Sequence, residues 1–255
     1  MNRRPAARVR CYLPPEEWGQ SGRVVFTGRE AHHLLNVLRV RPGTVLCCFD
    51  GVGGEATAVV AGLTKREVTL DLKKRRQIPP PPRTISLAMA IPRHGKLEEI
   101  IDQATQMGAS EIIPLSTQRG VVRLSGQEAQ RKLLRWRQVA VEAGKQCEVS
   151  RLPTIAPLTS WKELLDRFPE YVRVLLAAVE GPHEPLEILC KGNPQRVLVL
   201  VGPEGDFTPE EIESACRAGA RKFSLGGTVL RCETAAVVSL GLLSYLLRVG
   251  QESPV

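Results

Sequence analysis

No apolar run in these 255 residues is long enough to cross a bilayer. The basic opening stretch, MNRRPAARVR, lacks the apolar segment of a secretory signal. A soluble, cytoplasmic protein is therefore expected. The seven cysteines (11, 47, 48, 147, 190, 216 and 232) are odd in number and form no C-x-x-C. That spacing fits neither a zinc site nor a disulfide framework, so most are expected to be buried thiols. The four histidines make no metal-ligand pattern such as H-E-x-x-H, and no metal is expected. No P-loop signature is present, which excludes the common NTPase architecture. No G-x-G-x-x-G opens a helix after a strand, which argues against a dinucleotide fold. Internal repeats are absent, and the only low-complexity segment is a short run of prolines.

What is present begins with an uneven charge. The net charge is +8; residues 1–82 carry 14 Lys or Arg against 7 Asp or Glu, and residues 83–255 carry 21 against 20. A basic module joined to a near-neutral one points to a polyanion-binding piece and a separate working piece. IPPPPRT (78–84) lies where the balance changes. Four consecutive prolines form a stiff extended spacer, so a domain boundary is expected there.

Before the prolines the pattern is strand-rich. RVVFTG, TVLCCFD, EATAVV and EVTLDLKK are strand candidates, and EAHHLLNVLRV has helical spacing at Leu34, Leu35 and Leu38. GVGG lies between two strands, so it reads as a hairpin turn. Several short strands in about 80 residues point to a small barrel. After the prolines, strands alternate with helices. Strands are expected at 84–91, 110–117, 172–179, 196–202 and 221–226, and helices at 95–109, 128–147, 209–219 and 234–250. Near-continuous apolar strands in that arrangement mean an α/β domain with a buried parallel sheet. The last helix is too apolar for an exposed face and must be covered by the core, an interface or both.

Two loops draw attention, because ligands gather beyond the carboxyl ends of parallel strands. GPEGDF (202–207) ends an apolar strand, and a helix start follows. Thr208 can cap that helix, Pro209 fits its first position and Glu211 completes a capping box. Glu204 in the turn would repel a polyphosphate. The ligand should be neutral or cationic at that end and be read largely by backbone groups. GGTVLRCET (226–234) follows the next strand and adds Arg231 and Glu233.

Together, GPEGDFTPEEI (202–212) and LGGTVLRCETAA (225–236) resemble the signature of SPOUT-class RNA methyltransferases. Within that class they are similar to the 16S ribosomal RNA (uracil-N3)-methyltransferases. The resemblance is nearly full length. Residues 30–55 are similar to that family's PUA-like N-terminal barrel, and residues 100–122 and 135–147 to its central segments. Some positions depart from the pattern. Asp206 stands where a second glycine is usual, Gly227-Thr228 where Pro-Arg is, and Cys232 where Thr is. Gln106-Met107 stands for Glu-Leu, and Lys145 for Glu.

The resemblance implies a PUA-like RNA-binding barrel over 1–78, a linker over 79–83, a SPOUT domain over 84–250 with a C-terminal trefoil knot, and a tail over 251–255. It implies S-adenosylmethionine, a sulfonium cation without phosphates. The residues expected to hold it are Leu200, Gly202, Pro203, Glu204, Gly205, Leu225, Gly226, Val229, Leu230 and Ala235. Arg231 would stabilise negative charge on the target base. Glu233 would orient Arg231 or accept a proton, with orientation favoured because a carboxylate beside an arginine stays ionised. Arg10, Tyr12, Arg39 and Arg41 are the expected RNA contacts. The expected partners are 16S rRNA or the small ribosomal subunit and a second copy of the chain, with no membrane. Two other readings stay open: a SPOUT methyltransferase acting on another rRNA base or a ribose, and a non-catalytic RNA-binding or ribosome-assembly protein.

Overall fold

A computed structural model describes residues 9–18, 22–120 and 124–247. The basic stretch before Val9, the end of the helix expected over 234–250 and the expected tail 251–255 lie outside the described residues, as do positions 121–123. The chain forms two compact units. One contains the residues up to Pro80 together with Gly144–Leu152, and the other contains Pro81–Ala143 and the residues from Pro153 onward.

In the first unit, strands β1 (Arg10–Tyr12), β2 (Arg23–Phe26), β3 (Val45–Phe49), β4 (Gly54–Leu63) and β5 (Val68–Gln77) form one sheet. Their order is β1-β3-β4-β5-β2. They share a core that includes Cys11, Phe26, Leu34, Leu46, Cys48 and Leu70. Helix α1 (Gly28–His32) runs into a wider π turn at His33–Val37. That turn buries Leu34 but leaves Leu38 at the surface, so only part of the expected leucine face reaches the core.

GVGG is a hairpin turn between the antiparallel strands β3 and β4. Asp50 fixes it by accepting from the Val52 and Gly54 amides at 2.8 and 2.7 Å, while Gly51 and Gly53 adopt positive φ. The Gly144–Leu152 segment joins this unit through backbone bonds. The Gly53 amide donates to Ser150 O, and the Leu152 amide donates to Gly51 O. A division of the chain at the prolines alone leaves this returning segment out.

The second unit is built on a parallel sheet of β6 (Thr84–Ala90), β7 (Glu111–Ser116), β8 (Thr154–Ile155), β9 (Thr159–Ser160), β10 (Arg173–Ala177), β11 (Arg196–Val201) and β12 (Arg221–Phe223). Its order is β12-β10-β11-β6-β7-β8, with β9 also on β7. The helices are α2 (Leu97–Gln106), α3 (Gly126–Gln146), α4 (Trp161–Asp166), α5 (Leu186–Leu189), α6 (Pro209–Arg217) and α7 (Cys232–Leu246). The insertion of β11 between β6 and β10 is consistent with the knotted crossover implied by the resemblance.

β11 shows why the sequence reads as it does. Its side chains alternate, with Val197, Val199 and Val201 packed toward α2 and α7, and Leu198 and Leu200 toward α4 and α6. A strand buried on both faces needs apolar residues at every position. Each such burial contributes about 1.5–3 kcal/mol.

Candidate active site

β12, β10, β11 and β6 are consecutive and parallel, so their carboxyl ends open at one edge of the second unit. The chain leaving β6 brings Lys96 there, and the chain leaving β10 brings Val179 and Glu180. β11 brings 202–207, and β12 brings 224–233. Together they enclose a cavity of about 880 Å³, a size suited to a small-molecule ligand.

The 202–207 loop is held from several sides. Thr208 caps α6, with its side chain accepting from the Glu211 amide and Glu211 accepting in return from the Thr208 amide. The other Glu211 oxygen accepts from the Gln118 amide at 2.8 Å. The Arg119 guanidinium donates to Gly205 O at 2.6 Å and Phe207 O at 3.3 Å. Glu204 accepts from the Arg93 amide at 3.0 Å, and Phe207 is buried against Trp161. Asp206 sits at φ 59, the left-handed region that favours glycine. Its carboxylate accepts from the Phe207 amide at 2.7 Å. The conformation costs roughly 1–2 kcal/mol, and a hydrogen bond to a charged group contributes about 1.5–3 kcal/mol in return. Gly202 has no room for a side chain, because a Cβ there would lie 2.8 Å from the Asp206 carboxylate.

The 224–231 loop is looser. The Ser224 hydroxyl bonds both Gly226 N and O, and Gly226 takes φ 124. Val229 is 79% exposed. Arg231 ends the loop in an extended conformation as the N-cap of α7. Its side chain is exposed at the cavity and forms no hydrogen bond or ion pair among the described residues. Glu233 pairs with Lys96, which corrects the expectation that it orients Arg231. That bond, reinforced by Glu233's own backbone amide, lowers the Glu233 carboxyl to about 2. Burial, with Glu233 as acceptor of its Sγ–H at 3.3 Å, raises the Cys232 thiol to about 12. At neutral pH Glu233 is therefore an ionised, weak base and Cys232 is no nucleophile.

Of the residues expected to hold a cofactor, nine line the cavity: Gly202, Pro203, Glu204, Gly205, Leu225, Gly226, Val229, Leu230 and Ala235. Leu200 does not, because strand alternation turns it into the opposite core, and Val201 takes its place on the wall. Period-two counting along β11 could have shown this. Lys96, Arg119 and Glu180 carried no sequence signal linking them to the loops, because they arrive from other strand ends.

A family model described as an RNA methyltransferase domain matches residues 79–244. A second, described as an RNA methyltransferase PUA domain, matches residues 26–73. The chain is 30% identical over 228 residues to ribosomal RNA small subunit methyltransferase E of Bacillus subtilis, covering 86% of this chain and 88% of the relative. It is 32% identical over 225 residues to the Mycobacterium bovis protein of the same name, covering 87% and 86%. The chain belongs to this methyltransferase family. The Neisseria gonorrhoeae member, solved bound to S-adenosyl methionine, superposes with a TM-score of 0.82 at 27% identity, covering 94% of this chain and 98% of that one.

Two departures from the family pattern now have physical accounts. Asp206 offers its carboxylate as acceptor to the Phe207 amide, in place of the flexibility of a glycine. Lys145 pairs with Glu30 inside the first unit, so the change of sign at 145 meets an opposite charge. Nothing in the structure explains Gly227-Thr228 in place of Pro-Arg.

The RNA contacts expected in the PUA-matched unit fare differently from one another. Arg10 is committed internally: its guanidinium bonds Glu55 at 3.3 Å, Val149 O at 3.1 Å and Ser150 Oγ at 2.7 Å, and stacks over Phe49. Only 7% of its side chain is exposed, which removes it as a phosphate contact. Tyr12 packs edge-on against Phe49 and is half-buried. Arg39 and Arg41 are exposed beside the π turn, and Arg39 has positive φ. Lys73, Lys74, Arg75 and Arg76, all exposed on β5, line a groove of about 590 Å³. The expected RNA contacts did not include them, although they belong to the basic excess of residues 1–82.

Proposed function

We propose that the protein methylates N3 of a specific uridine in small-subunit ribosomal RNA, with S-adenosylmethionine as donor. The observation that carries this reading is the pairing of two strand-end loops around one cavity, with an uncommitted arginine at its edge. The lining suits such a donor. Leu225, Val229, Leu230 and Val201 offer apolar contact for an adenine, and backbone groups of 202–205 and 225–227 offer hydrogen bonds. Glu204 and Glu180 are compatible with a cation and would disfavour a polyphosphate.

When bound, the cofactor supplies a methyl group on a positively charged sulfur. The new N3–carbon bond forms as the methyl–sulfur bond breaks, and the N3 proton leaves to solvent. The chain's task is alignment and charge stabilisation. Arg231 stabilises the negative charge that develops on the uracil ring. Glu233, held ionised by Lys96, orders the first turn of α7 and is not assigned the proton. Residues 1–78 with the returning segment 144–152 act as the RNA-holding module, and the rest of 84–250 as the catalytic one. Arg39 and Arg41, joined by Lys73, Lys74 and Arg75, meet phosphates.

A protein acting on ribosomal RNA would work in the cytoplasm, and that location is part of the proposal. A homodimer belongs to the proposal because the outer face of α7 presents Leu242, 42% exposed, and Tyr245, 75% exposed. An isologous contact would cover that face.

The test is incubation with methyl-labelled cofactor and either small-subunit particles or naked rRNA, followed by mapping of the label. Label on uracil N3 supports the reading. Label on another base or a ribose moves the enzyme to a different target. Binding of RNA without cofactor uptake makes it a non-catalytic RNA-binding protein.

A further inference from the structure

We infer that Lys96 is a positioning residue of this methyl-transfer site, engaging Glu233 so that Arg231 stays free for the substrate; the inference rests on the proposed function. The argument starts from an arrangement the sequence makes unexpected. Arg231 and Glu233 lie two residues apart, one at the N-cap and one in the first turn of α7. A carboxylate in a first helical turn is favoured by the helix dipole, so Glu233 is anchored whatever its partner. The adjacent arginine is the natural partner for it. Instead, Lys96 arrives on the chain between β6 and α2 and takes the carboxylate.

Arg231 and Lys96 are near enough that the arginine's charge opposes protonation of the lysine, so three charges share one corner. The pair is only partly exposed, at 31% for Lys96 and 15% for Glu233, so water screens it incompletely. Arg119, the other cation on the lining, is spent on the Gly205 and Phe207 carbonyls. Arg231 is left as a guanidinium with no internal bond among the described residues. An arginine tied to a carboxylate would have to break that bond before stabilising charge on a base. Lys96 removes that competition before the substrate arrives, which is preorganisation of an electrostatic site.

The test compares K96M, K96Q, K96R, E233Q and the double variant K96M/E233Q in the full-length protein. Turnover is measured at saturating cofactor, with cofactor affinity from calorimetry. K96M and K96Q are expected to lower kcat roughly 10- to 100-fold, less than the about 10²- to 10³-fold cost of deleting a charge-stabilising donor outright. Their cofactor Kd should stay within about threefold of wild type, since Glu233 is not assigned to the donor. K96R should retain near-wild-type turnover. The decisive member is the double variant. With no carboxylate left to capture Arg231, K96M/E233Q should recover to the level of E233Q alone. A double variant no faster than K96M, or a K96M enzyme as fast as wild type, overturns the inference.

A readout independent of turnover keeps the two readings apart. Nitrogen-15 NMR of the Arg231 Nε–H should show slower exchange in K96M than in wild type, as the carboxylate moves onto it. Unchanged exchange overturns the inference. Wild-type protein that methylates no RNA overturns the proposed function instead.

Discussion

The two loops of the cavity are made to different standards. The 202–207 loop is pinned by a reciprocal cap, by Arg119, by the Asp206 carboxylate on the Phe207 amide and by a buried phenylalanine. The 224–231 loop has a serine–glycine contact at its start and a largely exposed Val229 near its end. The first is a surface already shaped to receive a ligand, and the second can still adapt to one. The difference separates holding from acting. Rigidity in the first loop lowers the cost of binding. On the proposed mechanism, the freedom of the second would let Arg231 meet a base that arrives on a large RNA.

The sharpest break in that comparison is R231A. Turnover should fall about 10²- to 10³-fold, the usual cost of losing one charge-stabilising donor, while calorimetry finds cofactor affinity unchanged. Comparable losses in both quantities would merge the two roles. Next is G202V, whose side chain would strike Asp206 and the Phe207 amide. Cofactor affinity should drop at least about tenfold, or 1.4 kcal/mol, as read by the same titration. T208A probes the cap itself. It should cost about 1 kcal/mol and lower the melting temperature by about 2–4 °C in a chain of this size.

Hydrogen exchange tests the contrast directly. The bonded amides of 206–208 should be protected with or without cofactor, and those of 227–230 only with it. V229S should leave the melting temperature of the free protein unchanged and raise the cofactor Kd about threefold, since burial of a few methyl groups is worth under 1 kcal/mol per group. The smallest effect lies in acid. Glu233 titrates at about 2 in the folded chain, below an unfolded value of 4.5. The stability it contributes is complete above pH 4.5 and is lost as pH falls toward 2. K96M should flatten that part of an acid-unfolding curve.

How far the sequence could be read depended on the range of each interaction. The cap of α6 was legible because Thr208, Pro209 and Glu211 are neighbours, and capping is local chemistry. The β3–β4 hairpin was legible for the same reason. The alternation of apolar strands and helices foretold a parallel sheet, because burial on both faces leaves a continuous imprint. Lys96 with Glu233 was not legible: the partners are 137 residues apart, and a closer arginine was the obvious choice. Arg10 failed similarly. Its charge pointed to RNA, but Glu55 and Ser150, 45 and 140 residues away, enclose it. Burial pushes Glu55 up, yet Ser150, Arg76 and Arg10 together hold it below its ordinary value, so the pair stays charged. β1, β8 and β9 are two or three residues long, too short for any periodicity.

The returning segment Gly144–Leu152 has a consequence for biosynthesis. The first unit is not finished when its last strand and the prolines have been made. Gly53 still lacks the acceptor for its amide, Gly51 O still lacks a donor, and Arg10 still lacks two of its three acceptors. Those partners are translated only after most of the first half of the second unit. During synthesis the emerging N-terminal module therefore waits, incompletely closed, until Leu152 has left the ribosome. Cutting the gene at the prolines would give a fragment held permanently at that stage.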